Sequence, residues 1–244
     1  MIHIVAAGPV IPNYGVAHGC IANDNSMFCT TWIREHWTDT LQPALIQHLW
    51  LTAIAVSIGF CIAFAAALIA HRFGRLAAPF GIFSAFLYTI PSIALFQLLV
   101  PLTGITVTTI EIGLVGYTLL ILFRNTLTGL RGVPAATVEA ARAMGFTPRQ
   151  TLLRVELPLA APAIMAGLRI ATVTTISLAT VAAYIGGGGL GSLIFQAIQS
   201  GFKTEFVAAG VLAIALAMVA DLLLVIVQRV LTPWTKTRLA LTQS

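Results

Sequence analysis

Apolar residues in this chain gather into long blocks, and polar residues are confined to the gaps between them. The blocks at 45–70, 77–100, 107–123, 159–184 and 206–228 each reach the roughly 17–25 residues that a helix needs to cross a bilayer. Polar clusters close two of them: His71-Arg72-Phe73-Gly74-Arg75 follows the first and Gln228-Arg229 the last. The pattern predicts an all-α membrane protein with five spanning helices. Arg124, Arg131, Arg142, Arg149 and Arg154 fall between the third and fourth blocks, whereas the connections at 101–106 and 185–205 hold one basic residue, Lys203. Because cytoplasmic loops collect Lys and Arg, the Arg-rich side is predicted to be cytoplasmic, with the amino terminus outside and the carboxyl terminus inside.

The first 43 residues follow a different pattern. Their opening half is only mildly apolar, is interrupted by Pro9, Pro12, Gly15 and Gly19, and lacks the basic start of a signal peptide. Ala17 stands where a lipoprotein cleavage site before Cys20 would carry leucine. Residues 32–47 are amphipathic and mixed in charge, which predicts a short helix lying at the outer surface. The expected division is a non-cytoplasmic leading segment at 1–43, a membrane domain at 44–235 with cytoplasmic helices at 134–157, and a cytoplasmic tail at 236–244. Met27 opens the run into the amphipathic stretch, so translation is expected to start there and residues 1–26 to be dispensable.

Composition agrees with the block pattern: 58% of residues are hydrophobic and 9% charged, with mean hydropathy +0.95, against about a quarter charged in soluble domains. The net charge of +5 belongs to the loop asymmetry and to anionic headgroups. No basic stripe interleaved with aromatics suggests nucleic acid. Cys20, Cys29 and Cys61 lack metal-site spacing; a Cys20–Cys29 disulfide outside the cytoplasm is open, with little in the pattern to require it. His3, His18, His36, His48 and His71 are scattered, and no nucleophile, base and orienter assemble around them. Neither a metal site nor enzymatic activity is expected in this chain.

The polar gap at 139–158 carries a spaced pattern: Glu139-Ala140-Ala141, three residues, Gly145, nine residues, Val155, one residue, Leu157-Pro158. Local signals build it as two short helices. Pro134 suits a first turn, Gly145 a left-handed stop, and Thr147-Pro148-Arg149-Gln150 supplies an N-cap, an N1 proline and a capping-box Gln. Pro158 is expected to end the second helix. Glu139 and Arg142, three apart, are placed to pair. Ala140 and Ala141 leave room for another protein to approach closely.

Within the blocks, Pro91 is expected to kink the second span near mid-membrane, with the Ser92 hydroxyl covering the freed carbonyl. The run Ile185-Gly186-Gly187-Gly188-Gly189-Leu190-Gly191 lacks the Lys-Ser or Lys-Thr of a phosphate loop. It reads either as a flexible break lining a pathway or as a close-packed loop before a short helix at 190–199. Arg169, eleven residues after Pro158, and Asp221, eight before Arg229, sit at similar depth, and an unpaired charge there is costly enough that the two are expected to form a buried pair. Snorkelling of Arg169 is the alternative. Glu111, near the outer end of the third span, is expected at the interface.

The 139–158 pattern resembles the cytoplasmic coupling signature of binding-protein-dependent ABC importer permeases, with Val155 in the usual isoleucine position. The resemblance implies a type I ABC importer permease with a five-helix core like that of the methionine importer permease, in a bacterial inner membrane. It implies a second permease subunit, identical or paralogous, and a periplasmic or lipid-anchored solute-binding protein. It further implies a cytoplasmic ATPase dimer that hydrolyses ATP with Mg and docks on Glu139, Ala140, Ala141, Gly145, Leu157 and Pro158.

Three further stretches resemble the quaternary-amine branch, which imports glycine betaine, choline, carnitine or proline betaine: Thr89-Ile90-Pro91-Ser92-Ile93-Ala94; Arg124-Asn125-Thr126 with Gly129-Leu130-Arg131-Gly132-Val133; and the glycine run. The kink at Pro91 and the irregular backbone of the glycine run make Pro91, Ser92, Tyr184, Gly187 and Gly188 candidates for the translocation pathway. An aromatic cage for trimethylammonium is expected mainly in the binding protein. Ile121 replaces a frequent proline, which argues against a kink at the inner end of the third span, and Ser192 and Gln196 replace often-charged positions. The rival readings are a permease for methionine or another amino acid on the same fold, and a secondary transporter using Arg169 and Asp221 for ion coupling.

Overall fold

The computed structural model describes residues 25–186 and 188–234, and every regular element among them is helical. The first span, α2 (Gln42–Arg72), is longer than its apolar block because Pro43 seeds its first turn and His71 and Arg72 complement the helix dipole at its end. It is entered through α1 (Thr30–Glu35) and one wide π turn, Trp37–Leu41.

This lead-in does not lie free at the surface. Trp32 stacks on His36 at 4.6 Å and meets Phe202 edge-on at 5.0 Å. Cys29, Trp32, Leu41 and Ala44 share one core with residues of the last two helices. Asn25 and Ser26 are also tied down: the Asn25 amide donates to the Gly201 carbonyl at 2.9 Å, the Lys203 N–H donates to Asn25 Oδ1 at 3.1 Å, and the Thr204 hydroxyl donates to the Ser26 carbonyl at 2.8 Å. The bond from the Lys203 N–H supplies the cap that Phe202, at the N-cap of the last helix, does not. The boundary expected at Met27 therefore cuts through a contact. Cys29 is disulfide-bonded; Cys20, with the rest of 1–24, lies outside the described residues.

The second block is not one kinked helix. It breaks into α3 (Ala77–Thr89) and α4 (Ser92–Thr103), with an overall bend of 100°. Ile90 and Pro91 are both extended, with ψ of 129° and 136°, because proline removes an N–H and pushes its predecessor out of the helical region. The Ile90 carbonyl accepts from the Tyr117 hydroxyl, so the phenol does the work expected of Ser92, which simply starts α4. A proline kink became a full break because a distant donor covers the open backbone.

The third span, α5 (Val107–Arg131), begins at Thr106, whose hydroxyl accepts from the Thr109 N–H at 3.3 Å, and runs past its apolar block without interruption at Ile121. Then come α6 (Ala135–Ala143), α7 (Pro148–Thr151), a π turn at Leu152–Glu156, the fourth span α8 (Leu157–Ala182), α9 (Gly189–Ser200) and the last span α10 (Lys203–Leu231).

The centre of the bundle is a seam of small residues, as suits helices that cannot use hydrophobic exclusion from lipid to associate. A Cβ on Gly59 would fall 1.9 Å from Thr118 Oγ1, and one on Gly167 2.5 Å from Asn125 Cβ; one on Gly129 would meet Ala163 Cβ at 2.9 Å. These contacts lock α2 to α5 and α5 to α8. Apolar Ile214, Met218, Leu222 and Val230 of α10 stay exposed, as a lipid- or subunit-facing helix requires.

Candidate functional site

The knob formed by α6 and α7 is built almost entirely from local caps. At the end of α6 the Phe146 N–H bonds to the Ala141 carbonyl at 3.1 Å and the Gly145 N–H to Arg142 at 2.9 Å. This is a Schellman stop with Gly145 at φ +85°. Thr147 and Gln150 close a reciprocal capping box, with bonds of 2.9 and 3.3 Å. Ala141 is buried within the chain while Ala140 faces outward, so the two alanines divide their tasks. Glu139 and Arg142 are both exposed and form no ion pair; an exposed pair of this spacing gains only about 0.2–0.5 kcal/mol. Pro158 does not end a helix. The π turn at Leu152–Glu156 carries α7 directly into α8, because wider backbone hydrogen bonding accommodates the missing proline N–H.

Two features here were not expected. Met144, 70% exposed at the tip, offers an apolar contact beside Glu139 and Ala140. Glu156 Oε2 lies 2.8 Å from His71 Nε2, tying the π turn before α8 to the carboxyl end of α2. A carboxylate inside the signature next to a half-buried stretch was the available hint; its partner, 85 residues away, had no sequence signal.

The glycine run is a close-packed joint. Gly188 and Gly189 have φ of +71° and +67°, and a Cβ on Gly188 would strike the Gln47 amide at 2.3 Å. The Gly189 N–H donates to Gln47 Oε1 at 2.9 Å. Gly191 lies so near the end of α8 that a Cβ would sit 2.3 Å from the Thr180 carbonyl oxygen. Ser192 donates to the Gly189 carbonyl at 2.7 Å. Gly187 is outside the described residues. His48, fully buried, places Nε2 3.0 Å from the Ile176 carbonyl, so that nitrogen carries the proton and Nδ1 is left without a partner.

The pathway candidates do not converge on one spot. Tyr184, 57% exposed, shares a recess of about 440 Å³ with Gln97, Val100 and Ile105. Pro91 and Ser92 lie at the opposite end of α4, and Gly188 is seated on α2. Glu111 stands near the start of α5, and both its carboxylate oxygens are buried without a hydrogen-bond partner among the described residues. Arg169 and Asp221 do meet, as a fork: Nε donates to Oδ1 at 2.8 Å and Nη2 to Oδ2 at 2.9 Å. The pair is not buried, however, since its side chains remain 33% and 36% exposed. No group of three or more His, Cys, Asp or Glu gathers among the described residues.

The capped α6–α7 knob, the broken span and the long apolar helices together form a membrane protein. Residues 59–237 match the family described as binding-protein-dependent transport system inner membrane component. The chain belongs to that family. The permease is 42% identical over 199 residues to the osmoprotectant import permease OsmW of Salmonella typhimurium, an alignment spanning 79% of this chain and 92% of that one. It is 36% identical to the choline transport system permease OpuBB of Bacillus subtilis, covering 77% and 86%. To the carnitine transport permease OpuCD of Listeria monocytogenes it is 35% identical, covering 81% and 89%. Among solved structures, an inward-facing MetNI methionine ABC transporter chain superposes with TM-score 0.71 over 82% of this permease and 98% of that chain, at 22% identity. That likeness shows the fold, a multi-pass permease core of the methionine-importer type.

Proposed function

We propose that this permease forms half of the membrane pathway of an ATP-driven importer for quaternary-amine osmoprotectants, of the glycine betaine, choline, carnitine or proline betaine class. The observation that carries this reading is the agreement among relatives at 33–42% identity, named for choline, carnitine, glycine betaine or osmoprotectant transport. The methionine-importer likeness, at 22% identity, favours no solute.

In this reading a second permease subunit completes the pathway, and a solute-binding protein delivers solute at the outer ends of α4, α8 and α9. An ATPase dimer takes the α6 knob, with Glu139, Ala140, Met144 and Gly145 at the contact and Leu157 and Pro158 passing its movement into α8. ATP and Mg are held and hydrolysed by that partner; this chain supplies the docking surface and the pathway wall. Pro91 and Ser92 give the pathway a hinge at the α3–α4 break, and Tyr184 an aromatic lip. The amino terminus is outside and the carboxyl terminus cytoplasmic, following the arginine distribution.

The test is uptake of labelled glycine betaine, choline, carnitine and methionine by cells that lack their own systems for these solutes and carry the permease with its neighbouring transport genes. Uptake of one or more quaternary amines, not competed by methionine, is the expected result. Methionine uptake alone would overturn the substrate class.

A further inference from the structure

We propose that Arg169 and Asp221 are a binding site for the zwitterionic solute within the membrane. The pair opens so that the solute carboxylate takes the Arg169 guanidinium while its quaternary ammonium faces Asp221. This rests on the quaternary-amine reading above and adds a site and a preference for zwitterions to it.

Depth comes first. Arg169 lies ten residues into its apolar block at 159–184 and Asp221 seven residues before the end of its block at 206–228, which at about 1.5 Å per residue places them ~15 and ~10 Å from the ends of those blocks. Both depths fall inside a hydrocarbon layer about 30 Å thick. Exposure comes second. A third of each side chain is uncovered, and charged groups at this depth face a water-filled cavity or protein rather than lipid tails.

Third, the two side chains hold only each other. Their hydrogen bonds among the described residues are the two of the fork, with none of the additional bonds that fix a structural ion pair in place. A pair held only by itself can exchange partners. Fourth, outward of the pair α8 carries Ser177 and Thr180, three apart on one face, and Tyr184 follows in the short turn beyond the end of the helix. Ser177 is exposed, and Tyr184 meets Phe195 edge-on at 5.7 Å, keeping most of its own surface free. Polar and aromatic groups thus line the outer approach, with exposed Val173 between them and the pair.

The chemistry matches in both halves. A carboxylate accepts two parallel N–H bonds from guanidinium as Asp221 does. A quaternary ammonium has no N–H to offer and needs only an opposing charge or an aromatic face. Pair and zwitterion are each neutral overall, so exchange leaves no net charge in the membrane. A plain cation such as choline lacks the carboxylate and would leave Arg169 unpaired.

The experiment measures saturating glycine betaine uptake by the complete transporter in cells, for wild type, D221N and the double variant R169Q/D221N, with membrane levels determined by immunoblot. The double variant strands no charge, so a purely structural pair predicts wild-type rates from it. The proposal predicts at least a tenfold lower maximal rate at normal membrane level, with the half-saturating concentration, set by the binding protein, unchanged. Wild-type rates from R169Q/D221N overturn it. Should that variant fail to reach the membrane, Ser177→Cys in a Cys61→Ser background decides. Labelling by a membrane-impermeant quaternary-ammonium thiol reagent, slowed by glycine betaine, supports the site; no labelling, or labelling indifferent to glycine betaine, overturns it. If wild type takes up no quaternary amine at all, the substrate class fails and not merely this site.

Discussion

Replacing Gly191 by alanine tests whether the glycine run is a packed joint or a loose gate. A Cβ at this position would lie 2.3 Å from the Thr180 carbonyl oxygen, 2.8 Å from its carbon and 2.7 Å from Ala183 Cβ. The obstruction is mostly backbone at the end of α8, so no rotamer change relieves it. Ordinary contact begins near 3.4 Å, so α9 has to retreat by about 1 Å, which loosens the seating of Leu190, Leu193 and Ala197. Overpacking of this kind costs about 1–3 kcal/mol. Gly210→Ala is the matched control, a helical glycine in α10 with nothing within 4 Å of the new methyl. Both variants gain helix preference of alanine over glycine, up to ~0.5–1 kcal/mol in a helix interior and less for Gly191 in the first turn of α9. Their difference therefore isolates the packing cost: Gly191→Ala should fall about 1–3 kcal/mol below Gly210→Ala. The assay is loss of monodisperse protein by size exclusion after a thermal ramp in one detergent, with uptake measured in parallel. Equal stability of the two variants would refute the packed-joint reasoning and restore a flexible break.

Gly145→Val forces a β-branched residue to φ +85° with nothing within 4 Å of it, a local strain of about 1–2 kcal/mol; membrane insertion should persist while uptake uncouples from ATP hydrolysis, and normal uptake would sink the idea. Tyr117→Phe removes the donor to the Ile90 carbonyl at the α3–α4 break and should cost about 1–3 kcal/mol in the thermal ramp; unchanged stability would show that water covers that carbonyl equally well. A chain starting at Met27 loses the Asn25 and Ser26 bonds to Gly201, Lys203 and Thr204, so it should be less stable than one starting at Asn25 by about 1–2 kcal/mol; equal stability would return the boundary to Met27.

What could be read in advance was whatever the chain states locally. Long apolar blocks announce spanning helices, because a bilayer demands that length and that composition. The Gly145 stop and the Thr147–Gln150 box were legible because caps are satisfied within a few residues. Arg169 and Asp221 could be matched because isolated charges in spans are rare and few partners existed. Features resting on distant partners were hidden. Nothing around Pro91 reveals that Tyr117 reaches its neighbouring carbonyl, so a kink was expected where the helix breaks. Pro158 read as a terminator because a π turn has no sequence mark. Exposure of the Arg169 pair, burial of the Glu111 carboxylate and the His71–Glu156 bond depend on how helices rotate against each other, which a nearly uniform apolar composition does not encode. The glycine run left two readings open until Gln47 and Thr180 were seen against it.

The most direct measurement of the central claim is solute accumulation in proteoliposomes holding the purified permease with its ATPase, and with its binding protein added on the outer side. Accumulation of a labelled quaternary amine is expected only when ATP and Mg are supplied on the side of the α6 knob. Loss of that accumulation is expected when the binding protein is omitted. Accumulation driven by a proton or sodium gradient by the permease alone, without ATP, would contradict the claim and make the chain a secondary transporter.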